Sequence, residues 1–333
     1  MSNAKHVTLS EAPSPRGRTT DFGLVVGVDH YPHFRPLQGA VTDAKSFHAW
    51  MCDGDGGAVE PPHGRLIVST PEPPTPIHSQ IDAAFGELIT AADLLGGGRR
   101  LYFYFSGHGA TCLGGPTDDV ALLLATWSRS FARLALSSKA YQGELATIGL
   151  FEEVVILLDC CRGTAERVVG LPPTMTPSLA STPFPTRAFV AYATEAGRSA
   201  FEVQDEQLWQ GVFTRRLMSI LRRSVRGIAA CDLKDTLERE IAAAGQQAHV
   251  VNELREGSTF GLRGALPQLE ISFAQAIGRV LLRDGTLEVI AEHEVGSGQW
   301  QLSLEAGLYK LEGGGRGPFV FQHGGEAVTY VEF

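Results

Sequence analysis

Two short stretches concentrate the reactive side chains. SGHG (Ser106–Gly109) holds one imidazole between glycines, and DCCRG (Asp159–Gly163) holds two adjacent thiols behind a carboxylate. A thiol attacks as its thiolate and has an ordinary pKa near ~8.5, so it needs a base. An imidazole titrating near ~6.5 can take that proton and later deliver one to a leaving amine. Together they are equipment for acyl transfer. The glycines suit the same chemistry, because Gly109 lets the backbone approach a substrate closely. Its N–H could then share an oxyanion with the N–H of Cys161.

Two apolar runs must carry these groups, Arg99–Phe105 and Glu152–Leu158. Continuous Val, Ile, Leu and Phe without alternation predicts strands covered on both faces, as in a parallel sheet. Residues just past the carboxyl ends of such strands gather along one edge, where ligands bind. The imidazole and the thiol therefore arrive side by side from separate strands. Further strands are expected at Phe22–Asp29, Arg65–Ser69 and Arg187–Thr194, with Asp119–Ala125 between the two central runs. Helices are expected at Val41–Met51, Ile77–Leu95 (Thr75 as N-cap, Pro76 in its first turn), Tyr141–Gly149, 209–223 and 232–244. This alternation predicts a layered α/β sandwich. From residue 265 to 333, short strand-like runs separated by Gly or Asp turns predict a small all-β sandwich of about six strands.

Residues 1–20 are polar and read as a flexible tail. Between Gly170 and Thr186 there is no charge, and prolines 172, 173, 177, 183 and 185 dominate with Ser and Thr. The segment 164–186 is accordingly expected to be an exposed loop, of the kind that is functional or cleavable.

Composition excludes several classes. The chain has 333 residues, 44% hydrophobic and 20% charged, an ordinary globular balance. A net charge of −9 argues against a nucleic-acid partner, since phosphate binding needs concentrated Lys and Arg. No apolar run approaches the ~20 residues of a membrane span, and the first residues hold no apolar signal core, so a cytoplasmic protein without a membrane partner is expected. Five cysteines without paired spacing suggest neither a disulfide framework nor structural zinc, and no metal or cofactor is implied. CDGDGG (Cys52–Gly57) lacks the remaining ligands of an EF-hand loop and reads as a turn.

The spacing and flanks of the two reactive stretches resemble one family. His108 lies 53 residues before Cys161, near the ~50 that separates the pair in caspases, whose cysteine motif is followed by Arg and Gly in the same way. SGHG, LLDCCRG, GLVVGVDHYPHFRPLQGAVTDA, AYATEAGRSAFE and GVFTRRLMSIL are similar to caspases and, more closely, to metacaspases and bacterial caspase-like proteases. The resemblance covers about residues 21–262. It implies a three-layer α/β sandwich around a mostly parallel sheet, here a peptidase domain over 21–264, with 265–333 as a regulatory or interaction domain.

It further implies a cysteine endopeptidase acting on protein substrates, with Cys161 as nucleophile and His108 as its partner. The positions matching the pocket for the residue before the scissile bond are Asp43, Ser106 and Asp159. Glu202 falls where caspases carry a pocket arginine. Carboxylates there favour Arg, with Lys second, through charge-assisted hydrogen bonds. The segment after the nucleophile corresponds to the linker cut during caspase maturation, which makes Arg167 and Arg187 candidate self-cleavage sites in a zymogen. An upstream protease or a regulator acting through 265–333 is the partner such a zymogen would need. Some metacaspases need calcium, but no diagnostic ligand cluster is visible. A place in a bacterial defence or cell-death cascade follows by analogy alone.

Blander readings stand beside these. Asp43 could cap the first helix, Asp159 could bind local N–H groups, and Cys160 would pack beneath the site. The alternative function is a caspase-fold binding or signalling module with weak proteolysis, which an intact Cys–His pair disfavours.

Overall fold

The computed structural model describes residues 20–112, 114, 116, 118–131, 133–174, 185–205, 208–224, 227–261, 268–273, 278–285, 287–295, 298–304, 307–313, 315–323 and 328–332. The tail at 1–19 and residues 175–184 of the anticipated loop lie outside these.

A six-stranded sheet forms the centre. Its strands are β1 (Asp21–Gly27), β2 (Gly64–Val68), β3 (Gly98–Ser106), β4 (Phe151–Asp159), β5 (Arg187–Tyr192) and β6 (His249–Asn252). They lie in the order β6-β5-β4-β3-β1-β2, parallel except for β6 against β5. The two apolar runs are adjacent central strands, with Ser106 opposite Asp159 at their carboxyl ends. From β1 the chain adds β2 on one side and later β3 on the other. Such a reversal opens a crevice beyond the strand ends.

Both faces of the sheet are covered, which explains the unbroken apolar strands. Leu101, Phe103 and Phe105 of β3 pack with α2 (His78–Leu94) and α3 (Ser138–Ile148). Tyr102 and Tyr104 pack with α1 (Ala40–Cys52), α4 (Val212–Arg223) and α5 (Ala230–Ala243). The result is the anticipated three-layer α/β sandwich. Helix α2 starts later than expected. Thr75 is engaged with Thr70 in mutual backbone hydrogen bonds and a 2.7 Å hydroxyl contact, so the helix begins at His78. Gln80 Oε1 accepts from Ile77 N–H at 3.0 Å. Helix α4 is also shorter, because Leu208–Gly211 pairs with Glu202–Asp205 in a hairpin.

Asp119–Ala125 does not join the central sheet. Val120–Leu123 belongs to a smaller sheet with Gly109–Cys112, Ala135–Ser137, Gly163–Val168 and Gly170–Leu171. This corrects the expectation of an exposed loop over 164–186 for its first part, residues 164–168 and 170–171. Immediately after the cysteines the chain pairs in parallel with Gly109–Cys112, and the Val168 side chain is fully buried. Apolar burial at Val168 and free ladder positions beside Gly109–Cys112 outweigh the loop-like composition that follows.

The C-terminal unit has seven described strands against about six expected. Gln268–Phe273 lies between Gly298–Ser303 and Val328–Glu332. A second, antiparallel sheet holds Val289–Val295, Gly278–Arg283, Gly307–Gly313 and Arg316–His323 in that order. Leu269, Ile271, Leu282, Trp300 and Leu311 form the core between them.

Arg100 enters β3 fully buried and is compensated from several sides. Its Nε donates to Glu153 at 2.7 Å and its Nη1 to Tyr102 Oη at 2.9 Å and Thr259 O at 2.8 Å, with the guanidinium 4.6 Å over the Phe260 ring. Removing one partner of a buried pair leaves an uncompensated charge. Glu153→Ala should therefore lower unfolding stability by about 3 kcal/mol, measured by urea titration. The double variant Arg100→Met, Glu153→Leu should lose less than Glu153→Ala alone.

Candidate active site

The crevice beyond β1, β3 and β4 contains a cavity of about 260 Å³. Six residues singled out in the sequence line it: Asp43, Ser106, His108, Asp159, Cys161 and Glu202. They come from α1, the ends of β3 and β4, and the hairpin before α4. Arg187 is not among the described residues that line it.

His108 is buried and tightly oriented. Its Nε2 lies 2.7 Å from the Arg35 carbonyl, which can only accept, so Nε2 carries the proton and Nδ1 is left as the basic nitrogen. Tyr31 and Phe34 flank the ring, each with centroids 4.8 Å away. The Tyr31 hydroxyl also wedges into the backbone, accepting from His108 N–H at 2.9 Å and donating to Leu123 O at 3.2 Å. Burial lowers the imidazole pKa, with the Arg35 charge acting the same way and the Arg35 carbonyl opposing.

The Cys161 thiol is half-buried. It accepts from Ala200 N–H at 3.3 Å and faces Ala200 O at 3.7 Å. Burial pushes its pKa up, partly opposed by the Ala200 N–H. Thiol and imidazole are consequently both neutral at rest near pH 7. Cys160 is buried behind Gly109 and also lines the cavity. A Cβ at Gly109 would meet Cys160 Sγ at 2.6 Å and Cys161 O at 2.7 Å, so only glycine fits that backbone approach.

The carboxylates explain themselves through α4. Asp43 does not cap α1. That role falls to Asp29, which accepts from Val41 N–H at 3.2 Å, and to Glu202, which accepts from Gln38 and Gly39 N–H at 3.1 and 2.7 Å. Asp43 instead turns into the cavity, where its Oδ2 accepts from Gly211 N–H at 2.8 Å and Ser106 Oγ at 3.4 Å. Asp159 Oδ2 accepts from Thr214 N–H at 3.0 Å and Thr214 Oγ1 at 2.6 Å. The N-terminus of α4 thus presents amides to both acids, a favourable place for negative charge. Gly211 must be glycine, since a Cβ there would stand 2.1 Å from Asp159 Oδ2.

Asp43 Oδ1 is buried and has no hydrogen-bond donor among the described residues. Burial, then the neighbouring Asp159 charge, raises Asp43 to about 9. Burial raises Asp159 to about 6 against the pull of Thr214. The pair therefore holds a proton at neutral pH.

Arg35, Phe201, Trp209 and Gly211 also line the cavity. Sequence reasoning missed Arg35 and Phe201 because their segments lack periodicity, and Trp209 and Gly211 because residues 209–223 read as a helix whereas these two stand in the hairpin strand before it. Only the position of Gly211 just before an amphipathic helix offered a signal. Asp53 in the CDGDGG stretch closes a turn, with its carboxylate accepting from Asp55 N–H at 3.1 Å and its carbonyl from Gly56 and Ala58 N–H, each at 2.9 Å.

Arg167 and Arg187 stand in paired strands, Gly163–Val168 and β5, and not in a free loop. A protease needs an extended, unpaired backbone, so either bond becomes reachable only when its strand leaves the ladder.

Thiol and imidazole thus line one cavity at the switch point of a six-stranded, mostly parallel sheet. Residues 20–248 match the caspase domain model (peptidase family C14), and the chain belongs to that family. Over 215 residues it is 28% identical to a probable protease of a Desulfuromonadales bacterium, covering 61% of this chain and 26% of that protein. The chain thus spans about a quarter of the length of that relative. The crystal structure of caspase-1 from Spodoptera frugiperda aligns with a TM-score of 0.48 and 12% identity, covering 76% of this chain and 97% of that one. The chain carries a caspase-family protease domain.

The buried acids set a testable balance. Folded protein keeps protons that unfolded chains, with carboxyls near 3.8, release; stability therefore falls as pH climbs from about 4 towards 9. Asp43→Asn keeps an acceptor for Gly211 N–H while removing the charge. It should raise Tm at pH 8 by roughly 3 °C and narrow the difference between Tm at pH 5 and pH 8, both read by calorimetry.

Proposed function

We propose that the protein is a cysteine endopeptidase that cuts proteins after Arg, with Lys as second choice. The observation that carries this reading is the shared cavity, in which Cys161 and His108 face the same space as the unsatisfied Asp43 Oδ1 and Asp159. A guanidinium brings several donors in a planar fork and satisfies two carboxylates at once, whereas an ammonium supplies a point charge. An acidic side chain would meet repulsion. Glu202, although committed to the N-terminus of α1 through one oxygen, keeps the rim anionic.

The proposed steps start from the His108 tautomer that leaves Nδ1 basic. Cys161 Sγ passes its proton to His108 Nδ1 and attacks the carbonyl carbon. The oxyanion rests on the N–H groups of Gly109 and Cys161. His108 returns the proton to the departing amine nitrogen, leaving a thioester. Water then gives a proton to His108 and attacks the thioester carbon; the Cys161 thiolate departs and takes that proton back from His108, leaving carboxylic acid and free thiol. Arg35 O holds the imidazole in the required tautomer throughout.

Regulation by cleavage in the segment after Cys161 extends the proposal, with Arg167 and Arg187 as the candidate sites and local strand opening as the gate. An upstream protease or a regulator bound at 265–333 would trigger that opening. Cytoplasmic location and a bacterial defence or cell-death cascade complete the reading.

The test is a fluorogenic peptide panel with Arg, Lys or Asp before the scissile bond. Arg peptides should be cut fastest, Cys161→Ala should lose at least 10³-fold by analogy with other nucleophile removals (~10⁶ in one protease), and Cys160→Ala should retain cleavage. Binding the Arg side chain needs ionised carboxyls, so kcat/KM should rise with pH between about 6 and 9. Preferred cleavage after Asp would overturn the acidic-pocket argument. Intact mass of wild type beside Cys161→Ala tests self-processing: fragments ending at Arg167 or Arg187 should appear in wild type alone.

A further inference from the structure

A second cleft of about 450 Å³ opens one ring beyond His108. Its lining is His33, Phe34, Ser128, Arg129, Ser130 and Phe131. Phe34 stands between His108 and this cleft. It packs edge-on against His108 at 4.8 Å on one side and against buried Trp127 at 4.9 Å on the other, while also walling the cleft. Phe131, 64% exposed, is a second aromatic residue of the lining. Its position is fixed, because Phe131 N–H donates to both Ser128 O (3.0 Å) and Ser128 Oγ (3.2 Å), closing a tight turn.

Direction along the substrate follows from the chemistry. The leaving amine takes its proton from His108, so the chain after the scissile bond departs on the His108 side, away from Asp43 and Asp159. We propose that this cleft is a subsite for the leaving segment, taking an aromatic or large aliphatic side chain from the first two residues after the cut bond. The inference rests on the peptidase reading above and on the packing of Phe34, a wall of this cleft, against His108. Phe34 and Phe131 supply two aromatic walls for offset or edge-on ring contacts. Enclosing a large apolar side chain there is worth roughly tenfold or more in kcat/KM.

The experiment uses the full chain and internally quenched peptides with Arg before the scissile bond, carrying Phe, Leu, Gly or Asp in the two following positions. Wild type should cut the Phe peptides about tenfold faster than the Gly peptides. Phe131→Ala should collapse that ratio towards one and Phe131→Leu should restore most of it. Equal rates across the wild-type panel, or a ratio unmoved in Phe131→Ala, overturn the subsite. A binding arm keeps the two readings apart: fluorescence anisotropy of the same uncut peptides on Cys161→Ala. Tighter binding of Phe peptides without any cleavage by wild type supports the cleft and overturns the peptidase; cleavage without a Phe preference does the reverse.

Discussion

Two carboxylates share one buried cavity here, and the N-terminus of α4 is what makes that arrangement tenable. Gly211 and Thr214 turn their amides on Asp43 and Asp159, and the hairpin before α4 brings Glu202 to the opposite rim. Each contact fixes another element. Asp43 ties α1 to the start of α4, Asp159 ties β4 to the same helix, and Glu202 ties the hairpin to the first turn of α1. The helix layer on this face of the sheet is thus locked around two neighbouring buried carboxylates. Burial raises the pKa of both, and shifts of this kind cluster at functional sites.

The imidazole obeys a different constraint, that of orientation. Parallel strands deliver residues to an edge but do not choose a ring's rotation or tautomer. The loop after β1 does so, supplying Arg35 O to Nε2, Tyr31 and Phe34 to the ring faces, and the Tyr31 hydroxyl as a wedge between His108 and Leu123. That one loop therefore governs the proton position on His108 and, through Phe34, also walls the cleft beyond it. In the proposed mechanism, neutral thiol and neutral imidazole exchange a proton when substrate is present.

The strand that follows the cysteines gives the fold a built-in restraint. In the proposed scheme processing at Arg167 couples to opening of the smaller sheet, where the neighbouring Val168 is buried and pairs with Cys112, and processing at Arg187 couples to opening of β5 in the central sheet.

By itself the sequence determined the layered α/β class, the two central strands and the chemistry at their ends, because unbroken apolar runs report burial on both faces whatever the neighbours are. His108, Cys161 and the close approach at Gly109 were legible for the same reason: they stand directly after those runs. A separate β unit was legible from its turns. Tertiary structure alone decided what the acids do. Whether Asp43 caps α1 or faces the cavity depends on Asp29 and Glu202 taking the capping role across the chain, and no local pattern encodes that exchange. It also decided that residues 164–171 pair as strands despite a loop-like composition around them, since the ladder they complete belongs to Gly109–Cys112 and Ala135–Ser137, far away in sequence. Local periodicity records burial and turn geometry; hydrogen bonds between distant segments are settled only when the layers close.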